Sequence, residues 1–255
     1  MDNRILRKFG FKNDQQGIMN RYIRESSGWD NHLKNTKEFI IQSAELKNKT
    51  SCIILGSGWL LDVPIVDLSY LFEKVTLIDI IHPAQIVHKI NIYPNVEIIE
   101  SDITGFIEPV YHFMKEAKKS KLNLHQIEAI HSDFWFNDIK NADFVVSVNI
   151  LNQLDILICD YIKKFDVYSE QEITEFRKTI QQNHLNVLPK GKSCLITDYE
   201  ELSMDENNKA IKNKPLVYID LPKRDNSKKW QWNFDMSQSY NKNLNTVFEV
   251  IGMKI

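Results

Sequence analysis

Small and acidic residues stand at the ends of short apolar runs in this chain, where an α/β sheet would present them to a ligand. In ILGSGWLLDVP, residues 54–64, Gly56 and Gly58 flank Ser57 and close the run Cys52-Ile53-Ile54-Leu55. Glycine there permits positive φ and lets the backbone approach a bound group closely. In open α/β sheets, ligands sit just beyond the carboxyl ends of the strands. Asp79, followed by Ile80, ends a second run, and Asp102, followed by Ile103, ends a third. An acid ending the second strand can accept both hydroxyls of a ribose. The plainer uses are a turn for the glycines and a helix cap or solvated loop acid for Asp79. Leu61 stands where a dinucleotide fingerprint has its third glycine. A diphosphate needs the close helix–strand approach given by that glycine, so the turn argues against a dinucleotide.

Asn149 ends a fourth run, Phe144 to Asn149, and Asn152 and Gln153 follow at once. Their amides suit either hydrogen bonding to a ligand or helix capping. Upstream, RYIRESSGWDNHLKNTK gathers Tyr22, Arg24, Trp29 and His32 in one window. On a helix Trp29, His32 and Thr36 share a face, and such a mix of stacking and hydrogen-bonding groups serves a pocket wall. The competing use is packing of Trp29 and Leu33, with His32 bonded locally. His32 is the simplest candidate for a general base. Asp133-Phe134-Trp135-Phe136-Asn137 reads as core packing, and the pairs Lys118-Lys119 and Lys228-Lys229 read as solvated faces.

Composition narrows the classes. The 255 residues carry a net charge of −2, so no global field recruits nucleic acid or anionic lipid. The N-terminus lacks the apolar core of a signal peptide. The most apolar stretch, Val145 to Cys159, is cut by Asn149, Asn152, Gln153 and Asp155, so no membrane span is expected. Cys52, Cys159 and Cys194 show no CxxC spacing, and Cys52 and Cys194, each opening an apolar run, suit buried thiols in a reducing cytoplasm. The histidines lack the spacing of a metal site, so no metal is expected.

Five apolar runs, beginning at Ser51, Lys74, Val96, Phe144 and Ser193, alternate with segments long enough for crossover helices. That rhythm indicates a parallel sheet with right-handed connections. Ser169 to Leu188 is the clearest helix, with Ser169 as N-cap and Glu172 three residues on. Another is expected to start near Trp29. After Asp198 the rhythm breaks: EELSMDENNKAIKNKP reads as a loop or irregular helix. Strand-like runs follow at Leu216 to Leu221, Trp230 to Phe234 and Thr246 to Met253. The expected organisation is a helical cap over 1–49 and an α/β domain over 50–255. Removal of residues before Asn48 is expected to leave a folded domain.

In order and spacing these motifs resemble those of the class I S-adenosylmethionine-dependent methyltransferases. ILGSGWLL is similar to their glycine-rich first motif, VTLID to the second strand with its ribose-binding acid, and EIIESDIT to the third strand. ADFVVSVNILNQL is similar to the fourth-strand motif and HLNVLPKGKSCLITD to the fifth. The resemblance implies a Rossmann-like seven-stranded sheet, mostly parallel with an antiparallel C-terminal hairpin, under an N-terminal helical cap. It implies S-adenosylmethionine as cofactor, bound by Gly56, Ser57, Gly58, Asp79, Ile80, Asp102, Ile103 and Asn149. Asp102 would lie beside the adenine amino group. Tyr22, Arg24, Trp29 and His32 would face the acceptor, with His32 and Asn149 nearest the chemistry. The expected acceptor is a small molecule or a protein side chain. The fourth motif is not of the NPPY type that methylates base amines, which argues against nucleic acid.

Ile54 departs from the pattern, because the family carries there an acid that often orders the glycine loop. With no recognisable catalytic base besides His32, a degenerate, non-catalytic domain that binds a nucleoside or partner is the first alternative. A nicotinamide-dependent oxidoreductase is the second, disfavoured by Leu61 and the antiparallel closing strands. Oligomeric state is not legible.

Overall fold

Alternation within the apolar runs decides the layering. The computed structural model describes residues 2–45, 48–117, 123–130, 133–207, 209–223 and 226–255, and only the backbone of 133–135. The strands are β1 (Ser51–Leu55), β2 (Lys74–Asp79), β3 (Val96–Glu100), β4 (Phe144–Val148), β5 (Ser193–Met204), β6 (Ala210–Pro215), β7 (Lys228–Asp235) and β8 (Asn245–Lys254). The helices are α1 (Asn3–Phe9), α2 (Phe11–Ser43), α3 (Ile65–Leu71), α4 (Ala84–Ile90), α5 (Ile107–Ala117), α6 (Asp133–Asn141), α7 (Ile156–Lys163) and α8 (Glu170–Val187). Successive strand residues point to opposite faces. Cys52 and Ile54 therefore join a core with residues of α2, α3 and α4, while Ile53 and Leu55 join one with residues of α6 and β8. A central sheet covered on both faces reads as continuous apolar runs, as these do.

The sheet order is β3-β2-β1-β4-β5-β8-β7, with β6 paired to β5 off this path. β1 to β5 run parallel, and β8 inserts antiparallel between β5 and β7. The sheet thus has eight strands rather than seven. The extra one comes from EELSMDENNKAIKNKP, which is a hairpin and not a loop. Glu200 to Met204 of β5 pair with β6, and Asp205 Oδ1 closes the turn by accepting from the Asn207 and Lys209 amides, each at 2.9 Å. Conversely, Leu216 to Leu221 is not a strand. Pro215 and Pro222 bracket it, and the Gln181 side chain takes its backbone groups, accepting from Tyr218 N at 2.8 Å and donating to Leu216 O at 3.2 Å.

The helix expected near Trp29 starts eighteen residues earlier, at Phe11. Its inner face steps by fours and threes through Ile18, Tyr22, Glu25, Trp29, His32, Thr36, Phe39 and Ser43. Polar members of that stripe hide its period from a hydrophobicity reading. Glu25 is buried because its carboxylate accepts from Met236 N and Ser237 N, at 2.9 and 3.2 Å, beyond the end of β7. Trp29, Leu33, Phe39 and Ile40 share one core with β1, β7 and β8. Each contributes about 1.5–3 kcal/mol by burial. Cutting the chain before Asn48 would bare that apolar face, since Trp29 is one of its core anchors.

The α8 helix begins as the sequence requires, with Ser169 and Glu172 forming a reciprocal capping box. Lys118-Lys119 and the side chains of Asp133, Phe134 and Trp135 lie outside the described residues. No described helix is long and apolar enough to cross a membrane.

Candidate functional site

The loops leaving β1, β2 and β3 are sewn together at the carboxyl end of the sheet. Gly56 N donates to Ile78 O at 2.9 Å. With φ at +86° and a would-be Cβ 2.9 Å from Val148 O, Gly56 has no room for a side chain. Gly58 N then donates to Asp79 Oδ2 at 2.8 Å, and Ile80 N to Asp79 Oδ1 at 2.7 Å. Ser57 Oγ meets His82 Nε2 at 2.8 Å, and His82 N donates to Glu100 Oε1 at 2.9 Å. Ile54 is fully buried, and the ordering of the glycine loop that an acid there would supply comes from Asp79 across the sheet. Burial pushes the Asp79 carboxyl up to about 6, against the pull of its backbone donors.

No helix follows the glycine turn directly. Residues 59–64 are irregular and α3 begins only at Ile65. Asp62 lies in this loop and accepts from Asn149 Nδ2 at 2.6 Å. Leu60 and Asn149 both adopt left-handed backbone, at φ +54° and +50°. For a leucine that costs about 1–2 kcal/mol, and such strain gathers at functional sites.

Asp102 serves its own loop. Its Oδ1 accepts from Thr104 N and Thr104 Oγ1, at 2.8 and 2.6 Å, and Oδ2 accepts from Ile107 N at 2.9 Å, at the start of α5. Burial raises its pKa.

His32 is 1% exposed. Its ring stacks on Trp232 with centroids 4.0 Å apart and planes 7° from parallel. Trp230 Nε1 donates to Nδ1 at 3.1 Å, and Nε2 lies 3.1 Å from Asn149 Nδ2. Burial drives its pKa down to about 3. With Nδ1 accepting from Trp230 and the ring neutral at ordinary pH, its proton sits on Nε2 and His32 braces α2 against β7.

These groups surround one cavity of about 390 Å³, the size of a small-molecule site. Gly56, Ser57, Gly58, Asp79 and Ile80 line it, as do Asp102, Ile103 and Asn149. Trp29 and His32 line it from α2, and Trp59 Nε1 ties the glycine loop to that helix by donating to Gln15 O at 2.8 Å. Tyr22 and Arg24 stand apart from it. Tyr22 packs on the Trp29 ring at 5.7 Å, and the exposed Arg24 donates to Ser239 Oγ at 2.9 Å.

The sequence reading missed several lining residues. In KKWQWNFD, period-two alternation sends Trp230, Trp232 and Phe234 to the face that α2 covers, and the last two line the cavity. Arg21 lies over the Phe234 and Tyr240 rings, at 4.6 and 5.2 Å. Asp198 closes an apolar run as Asp79 does and carried the same signal, although β5 continues past it to Met204. Its Oδ2 accepts from Asn152 Nδ2 at 2.7 Å, while its Oδ1 and Asn152 Oδ1 are buried without a partner. Burial lifts Asp198 to about 7.

No protein-family model matches the chain. No curated protein matches it either. Among solved structures it is similar to DhpI in complex with S-adenosylhomocysteine, at 8% identity and a TM-score of 0.40 over 94% of each chain. A second is the Burkholderia thailandensis 1,6-didemethyltoxoflavin-N1-methyltransferase with bound 1,6-didemethyltoxoflavin and S-adenosylhomocysteine, at 7% identity and a TM-score of 0.42 over 94% of this chain and 87% of that one. A third is coclaurine N-methyltransferase bound to N-methylheliamine and S-adenosylhomocysteine, at 10% and 0.37 over 89% and 71%. Likenesses this distant carry no argument about substrate. The chain's own strand order, parallel from β1 to β5 and closed by an antiparallel β8 inside β7, gives it the fold of the class I S-adenosylmethionine-dependent methyltransferases.

Proposed function

We propose that the chain transfers a methyl group from S-adenosylmethionine to a small molecule held beneath α2. The observation that carries this reading is the Asp79 carboxylate, fixed by Gly58 N and Ile80 N at the floor of the one cavity onto which the glycine turn opens. Each Asp79 oxygen keeps a second acceptor site, which suits two ribose hydroxyls. Asn149 Oδ1 is buried without a partner and suits the ammonium of the cofactor's amino-acid part. Asp62 and Asp79 put negative charge along a wall that would face a sulfonium.

The bound cofactor would supply an electrophilic methyl carbon. The protein's share is to hold the acceptor in line with that carbon and exclude water, which together lower the barrier by pre-paid orientation. The α2 roof, with Trp29 and His32 locked against β7, favours a small molecule over a protein side chain. A nicotinamide dinucleotide fits less well, since α3 starts at Ile65 and brings no helix N-terminus to the glycine turn for a diphosphate. Calorimetry should give saturable binding of S-adenosylhomocysteine and none of NADH. Saturable NADH binding with no response to S-adenosylhomocysteine would overturn the reading.

A further inference from the structure

We infer that Asp198 and Asn152 form a subsite for the amino group of an apolar amine, making an amine the methyl acceptor. This deepens the methyl-transfer reading of the same cavity and rests on it. Both side chains line the cavity and are more than nine-tenths buried. They hold each other through the 2.7 Å bond from Asn152 Nδ2 to Asp198 Oδ2. Among the described residues that leaves two buried acceptors, Asp198 Oδ1 and Asn152 Oδ1, without a donor. Buried acceptors are costly unless met, and a native fold leaves few unmet without a reason. A nitrogen bearing two or three N–H groups meets both at once. A hydroxyl brings one donor, and a carboxylate brings none and is repelled by the acid.

The surroundings favour the same chemistry. The strand order β2-β1-β4-β5 places Asn149, just after β4, between Asp79 on β2 and Asp198 on β5, and Asp62 accepts from Asn149 Nδ2. With the ribose on Asp79 and the cofactor's ammonium by Asn149 and Asp62, Asp198 lies beyond the cofactor. Next to Asp198 the wall turns aromatic. Tyr240, whose phenol feels the Asp198 charge, stands edge-on to Phe234 at 5.2 Å, and Trp232 and Phe248 continue that wall. Aromatic faces hold both an apolar body and a cation, as the Arg21 guanidinium over Phe234 already illustrates.

The experiment uses the full chain saturated with S-adenosylhomocysteine and three probes of like shape: phenethylamine, 2-phenylethanol and 3-phenylpropionate. Binding is followed by calorimetry at pH 8. Phenethylamine should bind at least about tenfold more tightly than the alcohol or the anion, the ratio expected of a hydrogen bond to a charged group. Asp198→Asn should abolish that preference while changing S-adenosylhomocysteine affinity less than about threefold, a difference too small for a lost charged bond. Asn152→Ala, removing one acceptor, should weaken amine binding and serves if the first variant fails to fold. Equal binding of the three probes, no phenethylamine binding, or a preference that survives Asp198→Asn would each overturn the subsite. So would a loss of S-adenosylhomocysteine binding as large as the loss of amine binding, since Asp198 would then belong to the cofactor. Failure of the wild-type chain to bind S-adenosylhomocysteine would instead remove the methyl-transfer reading beneath it.

Discussion

Asp198 should make the ligand-free protein lose stability as pH rises, and Asp198→Asn should remove that loss. The carboxyl is buried in the middle of β5 with a single side-chain donor, Asn152 Nδ2. Burial lifts its pKa from 3.8 to about 7. A group whose folded pKa is raised stabilises the native state below its unfolded pKa, and that contribution is lost as pH climbs through the folded value. The window here is therefore about pH 4 to 7. Each unit is worth about 1.4 kcal/mol, so between pH 5 and pH 8 the wild type should lose about 2–3 kcal/mol through this residue alone. The asparagine keeps an oxygen for Asn152 and does not titrate. In a chain of this size 1 kcal/mol moves Tm by about 2–4 °C, so the variant's advantage should grow by roughly 5–10 °C over that range. Thermal denaturation of both proteins, without ligand, at pH 5, 6, 7 and 8 measures the gap. Other titrating groups, such as Asp79, Asp155 and His82, act in both proteins and cancel in the difference. A gap that is constant with pH, or that narrows, would refute the claim that this acid is buried without sufficient partners.

Two further substitutions probe the walls of the cavity. His32→Ala should cost about 2–4 kcal/mol, by opening a cavity under Trp232 and stranding the Trp230 N–H. Urea unfolding should show it, and an unchanged midpoint would mean that α2 does not depend on the ring. Asp79→Ala should lower S-adenosylhomocysteine affinity more than tenfold, because it removes both the ribose acceptor and the partner of Gly58 N. Calorimetry on the folded variant checks this, and an unaltered affinity would move the nucleoside elsewhere.

The parallel half of the fold was legible because its physics is local. Buried strands such as Cys52-Ile53-Ile54-Leu55 and Phe144 to Val148 are apolar on both faces, and Ser169 with Glu172 marks a helix start unaided. The antiparallel half was less so. β6 is exposed along its whole length, so Ala210 to Pro215 shows no apolar pattern and owes its strand to pairing with β5. Leu216 to Leu221 has the composition of a strand, yet Gln181, from α8, claims its backbone groups. A side chain distant in sequence overrode propensity there. Helix α2 was truncated in the reading for a related reason. Glu25 and Thr36 sit on its buried stripe, and the partners of Glu25 are some 210 residues away in sequence.

The site divides along the same line. A strand-end acid announces where it sits but not what it holds. Asp79, Asp102 and Asp198 each end an apolar run, and nothing local separates them. In three dimensions Asp102 spends both oxygens on Thr104 and Ile107, Asp79 spends one bond of each oxygen on Gly58 and Ile80, and Asp198 keeps an oxygen that no protein donor meets. The capacity left over, rather than the residue type, separates an acid that shapes a loop from one that can receive a ligand. By the same measure His32, chosen from the sequence as a base, has no lone pair to spare, because Trp230 Nε1 donates to Nδ1 and the neutral ring then carries its proton on Nε2. The Asp198 carboxyl, which lines the cavity, has a pKa of about 7, where such a group exchanges protons at neutral pH.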